Sequence, residues 1–166
     1  MPTICRLIQL SPDEAASLVA NPATLTTGVG SATIYSDVYR YWHAIEYLLA
    51  EHRPGSAAAR WLTAGAPVAA STADVPSARV LSAAQVQDLD AELRHIQPDD
   101  LIAHYDASAL DAAQVYPTTW QAWEEDFDPL GQVLEHYFFL QQFSEKCATA
   151  RAALLLYFDV LAEGAV

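Results

Sequence analysis

Two strand-like runs in this chain each pass directly into a helix-start signature, and this repetition limits the possible folds more than any other feature. Residues 3–10, TICRLIQL, alternate loosely and are rich in β-formers, which predicts a strand. SPDE at 11–14 follows at once: Ser11 can cap, Pro12 suits the first turn, and Glu14 stands where a capping-box acid reaches back. Asn21-Pro22 stops that helix near Ala20. The second instance is ARVL at 78–81, a short strand, followed by the capping box SAAQ at 82–85. The helix it opens carries Val86, Leu89, Leu93 and Ile96 on one face.

Other helices follow from spacing. Val38, Tyr41, Trp42, Ile45, Leu48 and Leu49 recur at helical intervals, so a helix is expected over 37–50, ended by Pro54 and Gly55. Short helices are expected from Pro98-Asp99-Asp100 and over 106–114, with an acidic, Trp-bearing loop over 118–129. Leu130 to about Cys147 has a broad apolar face and reads as a long helix. Residues 23–35 read as loop, and 57–77 as a long loop with a short helix at 57–63. The run AALLLYFDVL near the C-terminal end suits a buried strand or a helical extension equally, since periodicity does not separate the two.

With 166 residues, no internal repeat and no low-complexity linker, the chain is expected to form one domain over 1–166. Apolar residues make up 52%, enough for a substantial core. The balance of 21 Asp and Glu against 8 Lys and Arg, net charge -13, argues against a nucleic-acid partner, whose phosphates need Lys and Arg. It argues equally against anionic membranes, and no apolar run approaches the roughly 18 residues a span needs. The start MPTICRLIQL lacks a signal-peptide pattern, and Cys5 and Cys147 stand far apart in apolar contexts. A soluble, cytoplasmic protein is the expectation.

Four segments, taken in order, resemble the YfbM-like bacterial family, also known as domain of unknown function 1877. They are YWHAIEYLL (41–49), ARVLSAAQV (78–86), AQVYP (113–117) with Trp120 nearby, and the aromatic helix leading into ALLLYFD (153–159). The chain departs from the family at Tyr39 and Arg40, where Asp-Lys is usual, and at Glu46, where a second His often follows. The resemblance implies an α+β fold, a single compact domain with several helices packed on a small sheet, and makes 151–159 a C-terminal strand. It implies no established reaction. Members occur in toxin-immunity settings, so it suggests that kind of role.

Two candidate sites emerge. From Asp88 to Asp128 the chain places eleven acids (Asp88, Asp90, Glu92, Asp99, Asp100, Asp106, Asp111, Glu124, Glu125, Asp126, Asp128) around a single Arg94. Aromatic anchors ringed by carboxylates suit a basic protein partner, such as a toxin domain, so the expected contacts are Asp99, Asp100, Trp120, Trp123, Glu124, Glu125, Asp126 and Asp128. The plainer reading makes these acids helix-start and solvated charges and the tryptophans core. The alternative site is a pocket formed by Tyr39, Arg40, His43, Glu46 and Tyr47 on one helix face, with His43 an acid/base group oriented by Glu46. Its plainer reading is packing by amphipathic side chains.

No cofactor or metal is expected. Glu92-x-x-His95 matches half of a di-iron motif without its partners, and His95, His104 and His136 lack zinc spacing. GVG at 28–30 lacks a third glycine, and GSAAAR at 55–60 lacks the phosphate-loop Lys. The leading expectation is therefore a non-enzymatic binding protein that neutralises a toxin; the alternative is a small enzyme or ligand-binding domain.

Overall fold

The computed structural model describes residues 3–25, 35–68 and 76–160. Along the chain run β1 (Thr3–Leu10), α1 (Pro12–Ala20), β2 (Tyr35–Tyr39), α2 (Trp42–His52), β3 (Ala66–Pro67), β4 (Arg79–Leu81), α3 (Ala83–Leu93), α4 (Pro98–Ile102), α5 (Ala107–Ala112), α6 (Trp120–Asp126), α7 (Pro129–Thr149) and β5 (Ala153–Val160). Single 3-10 turns cover Pro22–Thr24 and Ala58–Arg60. The five strands form one antiparallel sheet in the order β2-β1-β5-β4-β3. The fold is α+β, with helices packed on a small sheet. No helix among the described residues is long and apolar enough to cross a membrane.

The last strand lies in the middle. β5 pairs with all of β1, from Thr3↔Val160 to Leu10↔Ala153, and on its other side with β4. Side chains alternate across a strand, so β5 serves two cores at once. Leu154, Leu156 and Phe158 join Cys5, Leu7 and the large helical core, whereas Ala153 and Leu155 join Ile8, Val80 and the α1 residues Ala15 and Leu18. A strand buried on both faces shows no polar alternation, which explains why its run of leucines was ambiguous in sequence.

Both capping boxes form as their sequences require. Ser11 Oγ accepts from the Glu14 amide and Glu14 accepts from the Ser11 amide; Ser82 and Gln85 repeat the arrangement. At the β3–β4 end, Gly65 takes φ +77 and lies so close to β4 that a Cβ would collide with the Val80 carbonyl. Arg79 fastens the same corner by donating from Nε to the Ala64 carbonyl and from Nη2 to that of Gly65, 3.0 Å each.

Three expectations need correction. The helix expected over 37–50 is a strand followed by a helix: Tyr35–Tyr39 pair with β1, a bulge falls between Cys5 and Arg6, and Tyr39 leaves the strand at φ +46. Val38 is buried as a strand residue, so its helical spacing from Tyr41 was coincidental. Residues 118–129 are not wholly loop, because Trp120–Asp126 is helical. In the stretch expected as loop over 57–77, the 3-10 turn is shorter than the expected helix and Ala66–Pro67 pair with β4; residues 69–75 lie outside the described residues. Of the loop expected over 23–35, residues 26–34 likewise lie outside them.

Candidate functional site

α6 has only seven residues, too few to hold a helix by its own hydrogen bonds. The residue at its N-cap position, Thr119, makes no side-chain cap. Asp111 does the work from α5: Oδ1 accepts from the Trp120 amide at 2.8 Å and Oδ2 from the Gln121 amide at 3.1 Å. Burial works against the Asp111 charge, but these hydrogen bonds outweigh it and hold the carboxyl below its ordinary pKa. Trp120 anchors the inner face: fully buried, it donates from Nε1 to the Val115 carbonyl at 2.9 Å. Trp123 is half-buried against Trp120, Tyr41 and Phe127.

These anchors turn the other side of α6 outward. Glu124, Glu125 and Asp126 are exposed, and Phe127 beside them keeps 41% of its surface in solvent. Among the remaining acids the structure separates two populations. Asp106 caps α5, Asp128 caps α7 and Asp100 accepts from the Gln97 amide at the start of α4. Glu92 accepts from the Ala58 amide, and Asp90 is buried in an ion pair with Arg94. Asp88 and Asp99 are exposed with Glu124, Glu125 and Asp126, and none of these five caps a helix. Trp120, expected among the surface contacts, lies instead in the core. Across from α6, the Tyr105 phenol is pushed well above its ordinary pKa by burial and by the charges of Glu124, Asp128 and Asp111.

The alternative pocket divides in two. His43 lies on α2, where its Nδ1 accepts the Tyr116 amide hydrogen at 2.9 Å and its ring stacks on Trp42, centroids 5.1 Å apart. Trp42 in turn stacks on Tyr116 and donates from Nε1 to the Thr3 carbonyl, while the Tyr116 hydroxyl accepts from the Thr3 amide. This laminate of three rings fastens β1, α2 and the 113–117 segment together. Burial lowers the His43 pKa, which favours the neutral form that the accepted Tyr116 hydrogen bond requires. Glu46 and Tyr47 are half-buried on the same helix. Burial raises the Glu46 carboxyl to about 7.

Tyr39 and Arg40 are absent from that helix. Tyr39 ends β2, and the Arg40 guanidinium lies over the Tyr39 and Trp123 rings, 4.9 and 5.1 Å from their centroids. In sequence Arg40 and Trp123 belong to separate candidate sites; the fold brings them into one. His136 joins the same cluster: its ring lies 4.8 Å from Tyr41 and 6.1 Å from Tyr39, and its Nδ1 meets the Gln132 carbonyl at 2.8 Å. Spacing offers no signal for such contacts, because β2, α6 and α7 meet only through the tertiary fold. Among the described residues, no three of His, Cys, Asp and Glu converge as a metal-ligand group.

Among curated proteins, none matches this chain. In structure it is similar to a protein of unknown function, YfbM from Escherichia coli, with a TM-score of 0.66 at 9% identity over 95% of this chain and 99% of that one. At that identity the likeness concerns the fold. The sequence profile described as a domain of unknown function, DUF1877, matches residues 1–157, and the chain belongs to that family.

Proposed function

We propose that this protein is a non-enzymatic, cytoplasmic binding protein that neutralises a basic protein partner, a toxin domain, through the outer face of α6. The observation that carries the reading is the separation of the acids into two populations. Asp100, Asp106, Asp111 and Asp128 are engaged at helix starts, whereas Glu124, Glu125 and Asp126 stand together in solvent beside the exposed ring of Phe127. An apolar anchor rimmed by solvent-facing carboxylates suits a cationic surface, and such complementarity acts mainly on the rate of encounter. The two cysteines are buried and free, which fits a reducing compartment.

The test compares capture of a basic partner from the protein's own cells by the native chain and by the Glu124→Lys, Glu125→Lys, Asp126→Lys variant. Association of the captured protein should slow by about tenfold or more at low salt in the variant, and the difference should shrink as salt rises. Equal affinity and equal rates for both forms would remove α6 as the interface.

A further inference from the structure

No carboxylate of the described residues forms an ion pair with Arg40; the ion pairs among them are Arg6–Asp159 and Arg94–Asp90. In a chain with 21 acids, leaving a half-buried guanidinium unpaired is a notable choice. The group is also held in place, its Cζ lying over the rings of Tyr39 and Trp123. A guanidinium fixed in this way loses less freedom on binding than a free one.

One edge of it lacks partners. Nε is buried and has no acceptor, and Nη2 has only the Tyr39 hydroxyl, at a long 3.5 Å. Nε–H and Nη2–H together form the side edge that grips a carboxylate or phosphate through two parallel bonds. A buried donor without an acceptor costs folding free energy, and such groups in native proteins call for an explanation. Tyr39, the side chain over this edge, is held at φ +46, an unusual conformation for a bulky residue and one that gathers at ligand clamps.

We infer that the Nε/Nη2 edge of Arg40 is an oxyanion-binding site for the carboxylate or phosphate group of a small ligand, roofed by Tyr39 and walled by Trp123. One ligand oxygen takes the place of the Tyr39 hydroxyl on Nη2 and the other satisfies Nε. A net charge of -13 repels anions at long range, so saturable binding of an anion requires local donors of this kind. The site stands independently of the basic-partner reading.

The experiment follows the arginine Nε–H resonances by NMR while sodium phosphate or sodium acetate replaces sodium chloride at constant ionic strength. One resonance is expected to move saturably, with an apparent Kd of about 10 mM or tighter. Movement with phosphate alone assigns a phosphate ligand, and movement with acetate alone a carboxylate; either supports the site. Arg40→Lys keeps the charge but lacks the fork, so it should weaken binding about tenfold or more, read from the Trp123 indole signal. Arg151→Gln, at an exposed arginine elsewhere, should leave it unchanged. If Arg40→Lys fails to fold, Tyr39→Phe, which retains the guanidinium, identifies the Arg40 resonance by its displacement. Shifts that grow linearly with both anions, or that persist in Arg40→Lys, would overturn the inference.

Discussion

The His43 laminate and the outer face of α6 were the two rival sites in the sequence, and they differ in how their polar groups are used. Around His43 the functional atoms are engaged in holding the fold: Nδ1 takes an amide hydrogen from Tyr116, Trp42 donates to Thr3, and the Tyr116 hydroxyl accepts from Thr3. On α6 the reverse holds. Its anchoring is supplied by Asp111, Trp120 and Trp123, which leaves Glu124, Glu125 and Asp126 in solvent, with Glu124 alone reaching back to the Tyr105 hydroxyl. Residue type alone favours the histidine as the functional group; the hydrogen-bond partners favour the carboxylates.

That contrast is broken most forcefully at Trp42. Trp42→Ala removes the middle ring of the laminate and the bond to Thr3, and should cost about 3–5 kcal/mol in chemical denaturation. A cost under about 1 kcal/mol would mean that the laminate is not structural, and would reopen His43 to a chemical role.

Glu46 sharpens the comparison from the opposite direction. Its carboxyl is raised to about 7 by burial, so the folded state holds its proton more tightly than the unfolded chain does. Stability from this group is therefore greatest at low pH and falls as pH rises from the ordinary carboxyl range through about 7. Glu46→Gln should stabilise the protein at pH 8 by on the order of 2 kcal/mol, allowing for partial exposure, and by almost nothing at pH 4. A variant equally stable to the native chain at both pH values would show that water reaches the carboxylate freely.

Asp111 is the hinge of the argument about α6. Asp111→Ala should cost about 1 kcal/mol globally and raise amide exchange at Trp120 and Gln121 selectively. Its pKa is lowered in the fold, so its contribution is present above the ordinary Asp range and is lost as pH falls through the depressed value. Protection of those two amides that survives the substitution would move the cap elsewhere. The smallest effect belongs to the charge-reversed α6 triple variant, whose stability should stay within about 0.5 kcal/mol of native. A larger loss would mean that these carboxylates hold the fold after all.

The legible parts of this protein are those whose causes are local. Ser11 with Glu14 and Ser82 with Gln85 announce their helices because cap and recipient stand three residues apart. α6 was hidden because its cap, Asp111, stands nine residues before Trp120 in another helix. β2 resembles helix in sequence because Val38 and Tyr41 happen to be three apart, though one faces the core from a strand and the other from the turn that follows. β5 required the family resemblance, since burial on both faces erased its pattern. At the sites, composition exposed the surplus of acids but not its division into caps and free groups. Arg40 and Trp123 met only once the strand and the helix were in place.

The central position of β5 also sets a clock. β1 is made long before its full-length neighbour in the sheet, Ala153–Val160, and β4 leans on the same strand. During synthesis at about 5–20 residues per second, β1 must wait on the order of ten seconds for that neighbour. Through this interval Ile4, Leu7 and Ile8 lack the strand that later covers them, so growing chains are exposed to one another there. The excess of negative charge comes late, because residues 1–87 hold six acids against five bases, so repulsion between growing chains sets in only once the 88–128 stretch has been made.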